Sequence, residues 1–127
     1  MSNELAPPLK QIGPNQEPSA KKGNLMSSEL ENEFDIAMEN IYYRAKDEVG
    51  YTAKRFFDML TDYHGIETAR KLVNADKPSD GYTVLWMKKR LDLTVEALVI
   101  QEKWKTLFEP EEIERARNRL REYEYEV

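Results

Sequence analysis

From Leu30 onward, apolar residues return every three to four positions, the spacing that stacks side chains along one face of an α-helix. Leu30, Phe34, Ala37, Met38, Ile41, Tyr42, Ala45 and Val49 form the first run, and Gly50 ends it. A hydroxyl at Ser27 or Ser28 is placed to cap free amides, and Glu29, Glu31 and Glu33 suit the positive end of the helix dipole. The pattern predicts a helix over about 28–49, with Asp35, Glu39, Asp47 and Glu48 making its outer face acidic.

Thr52 is positioned to cap a second helix, in which Phe56, Phe57, Met59 and Leu60 supply the apolar surface before His64-Gly65 breaks it. Ile66, Ala69, Leu72 and Val73 predict a shorter third helix, over about 66–74, antiparallel to the second. Lys77-Pro78-Ser79-Asp80-Gly81 has turn chemistry, since proline presets one dihedral while serine and aspartate bond nearby amides. A fourth helix, over about 82–90, is expected to bury Tyr82, Leu85 and Trp86. A fifth, opening near Asp92 to Thr94, buries Val95, Leu98 and Val99. Trp104, Leu107 and Phe108 read as a short helix or an irregular cover over the core. Pro110 suits the first turn of a last helix, because its missing amide has no partner to lose there. In that helix Ile113, Ala116, Leu120 and Tyr123 face inward, and Glu111 and Arg115 form a surface pair.

No segment alternates long enough to make a strand. The expectation is therefore an all-α, compact bundle of five to six helices occupying residues 27–127. Residues 1–26 are different: Pro7, Pro8, Gly13, Pro14, Pro18 and Gly23 interrupt a stretch without apolar periodicity, which predicts a disordered tail.

Composition narrows the function. With no cysteine and one histidine, thiol catalysis, disulfides and the usual zinc ligand sets are excluded, and no metal or cofactor is expected. No run reaches the length of a membrane span and the N-terminus lacks the apolar stretch of a secretory signal, so a cytoplasmic protein without membrane association is expected. A net charge of -5 works against general attraction to nucleic acid.

Five candidate sites remain. Asp58 or Asp62 is placed to orient His64 as a general base, but a histidine at a helix end more often caps carbonyls or sits in water. Asp80, Asp92 and Thr94, with Trp86 and His64, make a candidate ligand cluster at the turns, against which stands the simpler reading that the short polar side chains cap helices. The fourth and fifth helices have the length of a helix-turn-helix, and Lys88, Lys89 and Arg90 offer phosphate contacts. The second helix of that pair reads Val95-Glu96-Ala97-Leu98-Val99-Ile100, without the Arg, Asn or Gln that base reading requires. Arg115, Arg117, Arg119 and Arg121 add a second basic set, interleaved with Glu111, Glu112, Glu114 and Glu122 so that a solvated salt-bridge face is the alternative. Tyr43 and Tyr63 fall off the apolar faces and are candidates for a protein interface.

From about Phe34 to Tyr125 the chain resembles a family of small, functionally uncharacterised bacterial proteins. The likeness rests on Gly50-Tyr51 with Arg55-Phe56, on Gly65-Ile66-Glu67-Thr68-Ala69, on Pro78-Ser79-Asp80-Gly81-Tyr82-Thr83 with Leu85-Trp86, on Arg90 to Leu98, and on Glu112 with Ala116-Arg117. Relatives tend to carry glycine where this chain has His64, and a mixed acidic and glycine-containing turn where it has Lys88-Lys89. The resemblance implies no activity, cofactor or catalytic residue. The functional expectation is thus a non-enzymatic helical domain that binds another protein, the alternative being a nucleic-acid accessory protein that uses the basic residues.

Overall fold

A computed structural model describes the backbone from Lys21 to Val127 and the side chains from Ser28. Residues 1–20 of the expected tail lie outside the described residues. All regular structure among the described residues is helical: α1 (Lys21–Arg44), α2 (Lys54–Asn74), α3 (Asp80–Met87), α4 (Val95–Val99) and α5 (Pro110–Glu122). A π-helical turn (Ala45–Val49) continues α1, and 3-10 turns (Leu91–Leu93, Glu102–Leu107) flank α4. Glu31–Val127 forms one compact unit.

Helix α1 runs back through Ser27-Ser28, so neither serine opens it as the cap rule led one to expect. The stretch from Lys21 to Met26, expected to belong to the disordered tail, is helical instead: it contains no proline, and its single glycine, Gly23, weakens a helix without ending it. Among the described side chains, Phe34 and Met38 are the buried positions of this helix, and Ala45 is that of the π turn that follows it. Phe34 meets Trp104 and Phe108 edge-on, with ring centroids 5.2 and 5.3 Å apart, so the segment after α4 does cover the core, as a 3-10 turn. The π turn closes on Gly50, whose φ of 77° is the left-handed conformation that a residue without Cβ adopts freely.

Helix α2 starts at Lys54 with Ala53 in the cap position and no side-chain bond to its amides, so Thr52 does not cap it. Expected helices two and three are the two halves of α2, which bends at His64. There the backbone sits at φ 66°, ψ −175°, a region almost confined to glycine. The His64 side chain is exposed, so it contributes little to offset that strain. His64→Gly is therefore expected to stabilise the domain by about 1 kcal/mol, the relieved strain exceeding glycine's extra unfolded-state entropy. Denaturant unfolding checks this, and an unchanged or lower midpoint would show the bend is unstrained.

The turn before α3 behaves as its residues require, with Ser79 Oγ accepting the Tyr82 amide at 3.1 Å. Helix α3 spans Asp80–Met87 instead of 82–90, because Lys88 ends it and Lys89 takes φ 63°. Tyr82 and Leu85 are buried, whereas Trp86 is 45 % exposed and stacks edge-on to Tyr123, which corrects its expected place in the core. Thr94 caps α4, its Oγ1 accepting the Ala97 amide and donating to the Leu91 carbonyl. Pro110 occupies the first turn of α5, and Glu109 and Glu112 close a reciprocal capping box over it. Ala116 and Leu120 are fully buried. Arg115 does not pair with Glu111; its guanidinium crosses to α2 and donates to Asn74 Oδ1 at 2.6 Å.

Candidate functional site

One cavity of about 410 Å³ lies between the helices. Ile41 of α1 and Ala45 of the π turn form one side, Phe56, Met59 and Leu72 of α2 another, and Leu85, Leu93 and Val95 the third. Tyr82, Thr94 and Glu96 complete the polar part of the lining, and Arg55, Lys77 and Asp80 supply its exposed charges. The size falls within the usual range of small-molecule sites. A π turn at Ala45 fits this place, since such wide turns recur beside functional sites and a small side chain leaves room in front of it. Tyr51 also borders the space, and burial, with Asp80 nearby, pushes its phenol above the ordinary value.

Glu96 is the residue that sequence reasoning missed. It is 3 % exposed, and its Oε2 accepts Arg119 Nη1 at 2.8 Å. Arg119 also donates from Nη1 to the Leu72 carbonyl (3.1 Å) and from Nη2 to the Ala75 carbonyl (2.6 Å). These carbonyls belong to the end of α2, where acceptors lack intrahelical partners. One guanidinium thus joins the end of α2, the first turn of α4 and α5. Burial outweighs the guanidinium and holds the Glu96 carboxyl above the usual carboxylate range. Tyr82 adds a further tie, its hydroxyl donating to the Arg119 carbonyl at 3.1 Å, and burial with Glu96 nearby pushes that phenol up strongly. A glutamate within an otherwise apolar run was the one available signal.

The expected ligand cluster is split. Asp80 and Thr94 border the cavity, while Trp86, Asp92 and His64 do not line it. Asp92 is held instead by Arg90, whose Nε and Nη2 donate to its two carboxylate oxygens at 3.0 and 3.1 Å. His64 stands at the bend of α2, and the turn caps are Ser79 and Thr94, with Asp80 in the first turn of α3. Among the described residues, no group of three or more His, Asp or Glu is arranged to hold a metal ion.

The expected basic patch is largely engaged. Arg90 bridges Asp92 and Glu48, donating to Glu48 Oε1 at 2.7 Å, and Arg44 donates to the other Glu48 oxygen at 2.8 Å. Hydrogen bonds from Arg44 and Arg90 hold the Glu48 carboxyl down to about 2. Arg117 and Arg121 pair with Glu114, and Arg115 is committed to Asn74. Arg119 lies inside the bundle and is removed from any phosphate track. Lys88 and Lys89 are exposed and form no ion pair among the described residues. The helix-turn-helix reading fails on burial, because Val95 to Val99 are all buried and α4 has no face to lay in a groove.

Apolar surface is exposed on the opposite register of α1. Ile36 is 58 % and Tyr43 50 % exposed, and their seven-residue spacing puts them on one helical face, with Glu39 and Asn40 between. Tyr43 packs edge-on to Tyr42 at 5.2 Å, and Tyr42 meets Phe57 of α2 at 4.9 Å, so the patch continues across two helices. Tyr63 is also exposed, and its ring is covered by the Lys71 ammonium at 4.5 Å. The acidic face expected on α1 is partly occupied: Asp35 accepts the Gly65 amide and Glu48 the two arginines, leaving Glu39 and Asp47 in water. No described helix is long and apolar enough to cross a membrane. Set beside known proteins, the chain matches no family model, no curated protein and no solved structure.

Proposed function

We propose that this is a non-enzymatic helical domain that binds another protein through the outer face of α1. The observation that carries the reading is the set of exposed side chains Ile36, Tyr43 and Phe57, the latter two joined across α1 and α2 by the half-buried Tyr42. Exposed aromatics of this kind lose little rotamer freedom when covered and supply much of the binding energy in protein interfaces. Glu39 and Asn40 between the anchors favour a partner segment with apolar side chains and basic flanks. The engagement of Arg90, Arg115, Arg117, Arg119 and Arg121 within the fold works against the nucleic-acid alternative. The same reading places the protein in a bacterial cytoplasm, as its cysteine-free composition and the resemblance suggest.

The test is site-specific crosslinking in the native host. A photoreactive phenylalanine analogue replaces Tyr43 or Ile36 in the full chain, with Asn118, exposed on α5, as control. A discrete adduct that is destroyed by protease, resists nuclease and forms at 36 and 43 is the expected result. Ile36→Ala with Tyr43→Ala should then weaken capture at least tenfold while moving stability by under about 0.5 kcal/mol each, as exposed positions do. Equal adducts at 118, or adducts lost on nuclease treatment, would sink the reading.

A further inference from the structure

The cavity is chemically distinct from the surface of α1 and has its own logic. Protein interiors seldom keep spaces larger than a water molecule, and those that stay dry are apolar and take up apolar molecules. Here Phe56, Met59, Leu72, Leu85 and Leu93 line the apolar part of such a space, which opens to solvent beside the exposed Arg55, Lys77 and Asp80. The lining also carries Arg55 and Lys77, both exposed and neither in an ion pair among the described residues, together with one acid, Asp80. These exposed charges are net positive. Deeper in, the buried glutamate is already matched by a guanidinium: a second cation there is superfluous and an anion is repelled. An occupant therefore has to carry its negative charge outside and its apolar part inside.

We infer that this cavity is a binding site for a medium-chain carboxylate, its alkyl tail among the leucines and Phe56 and its head group at Arg55 and Lys77. Arg55 suits the head because a guanidinium meets a carboxylate with two parallel hydrogen bonds. Asp80 opposes the head and moderates affinity. The Glu96–Arg119 pair limits tail length, because a longer chain would press its end against a buried ion pair. Tyr42 borders both this site and the aromatic run of α1 and α2, whereas Ile36, Tyr43 and Phe57 do not line the cavity, so the changes that test one assignment leave the other in place.

Calorimetric titration of the full chain with hexanoate, octanoate and decanoate, each below its micelle concentration, tests the proposal. Saturable binding of one molecule per chain is expected, tightening about fourfold per added methylene. Arg55→Gln with Lys77→Gln should weaken decanoate about tenfold and leave decanol unmoved, and Asp80→Asn should tighten decanoate severalfold. All three positions are exposed, so these variants keep the fold. In NMR spectra the decanoate methyl should show contacts to Leu72 and Leu93 and none to Met87 of the exposed α3 end. Absence of saturable binding, affinity independent of chain length, decyltrimethylammonium binding better than decanoate, or rim changes that shift decanol as much as decanoate would each overturn it.

Discussion

Replacing Arg119 with methionine is expected to cost the domain about 3–5 kcal/mol, the usual penalty when one partner of a buried ion pair is removed and the other charge is left behind. A domain of this size has about 5–15 kcal/mol in total, so the variant should sit near the edge of folding. Three acceptors lose their donor at once: Glu96 Oε2 and the carbonyls of Leu72 and Ala75. The pH dependence of the penalty identifies its origin. Burial already holds Glu96 above the ordinary carboxylate range, which means the folded state keeps that proton more tightly than the unfolded chain. A group of this kind favours the fold most below its unfolded pKa, and the contribution is lost as pH rises through the folded value. Without Arg119 nothing opposes the upward shift, so the penalty should be larger at about pH 7 than at about pH 4.5. In a Glu96→Gln background the cost of adding Arg119→Met should be the same at the two pH values, because the titrating group is gone from both proteins compared. Guanidinium-independent unfolding in urea measures all of this. An Arg119→Met variant within about 1 kcal/mol of the parent at neutral pH would show that Glu96 is adequately solvated.

The helices were legible because their ends are marked by local chemistry. Gly50 takes the left-handed conformation its position demands, Ser79 and Thr94 accept amides three residues on, and Pro110 begins α5. Each of these depends on neighbours in sequence. The break at His64-Gly65 was visible for the same reason, although its geometry was not. What local pattern conceals is which charged residues turn inward. Arg119 sits in α5 among Arg115, Arg117 and Arg121, spaced like a solvated face, and only the placement of α2 and α4 distinguishes it. Glu96 stands in the first turn of a helix, where a carboxylate commonly faces water, yet α4 is a single short segment whose five residues are all buried. Trp86 misled in the other direction. Its helical spacing with Tyr82 and Leu85 suggests burial, but α3 ends at Met87 and leaves the indole against Tyr123 at the surface. The cavity, assembled from α1 through α4, has no local signature at all.

Gly65→Ala should be the second most damaging change, at about 2–3 kcal/mol. The bend in α2 leaves the amide of Gly65 without a carbonyl one turn back, and Asp35 of α1 takes that role, accepting it through Oδ1 at 2.7 Å. For the carboxylate to reach, the two helices must approach closely. A Cβ on Gly65 would stand 2.5 Å from Asp35 Oδ1, and 3.2 Å from both Asp35 Cα and the Phe34 ring. The carboxylate is able to rotate away only by giving up the hydrogen bond, while the Cα of α1 and the buried Phe34 have nowhere to go. Gly81→Ala is the control, because there the nearest atoms are on the Tyr51 ring edge and hydroxyl at an ordinary 3.5 Å. The two sources of the penalty separate in a double-mutant cycle. Asp35→Ala removes the carboxylate oxygen and its hydrogen bond together, so adding Gly65→Ala in that background should cost at least about 1 kcal/mol less than in the parent. Additive costs in urea unfolding would mean that the carboxylate is not what Gly65 makes room for, and that the contact resides in Phe34 and the α1 backbone alone.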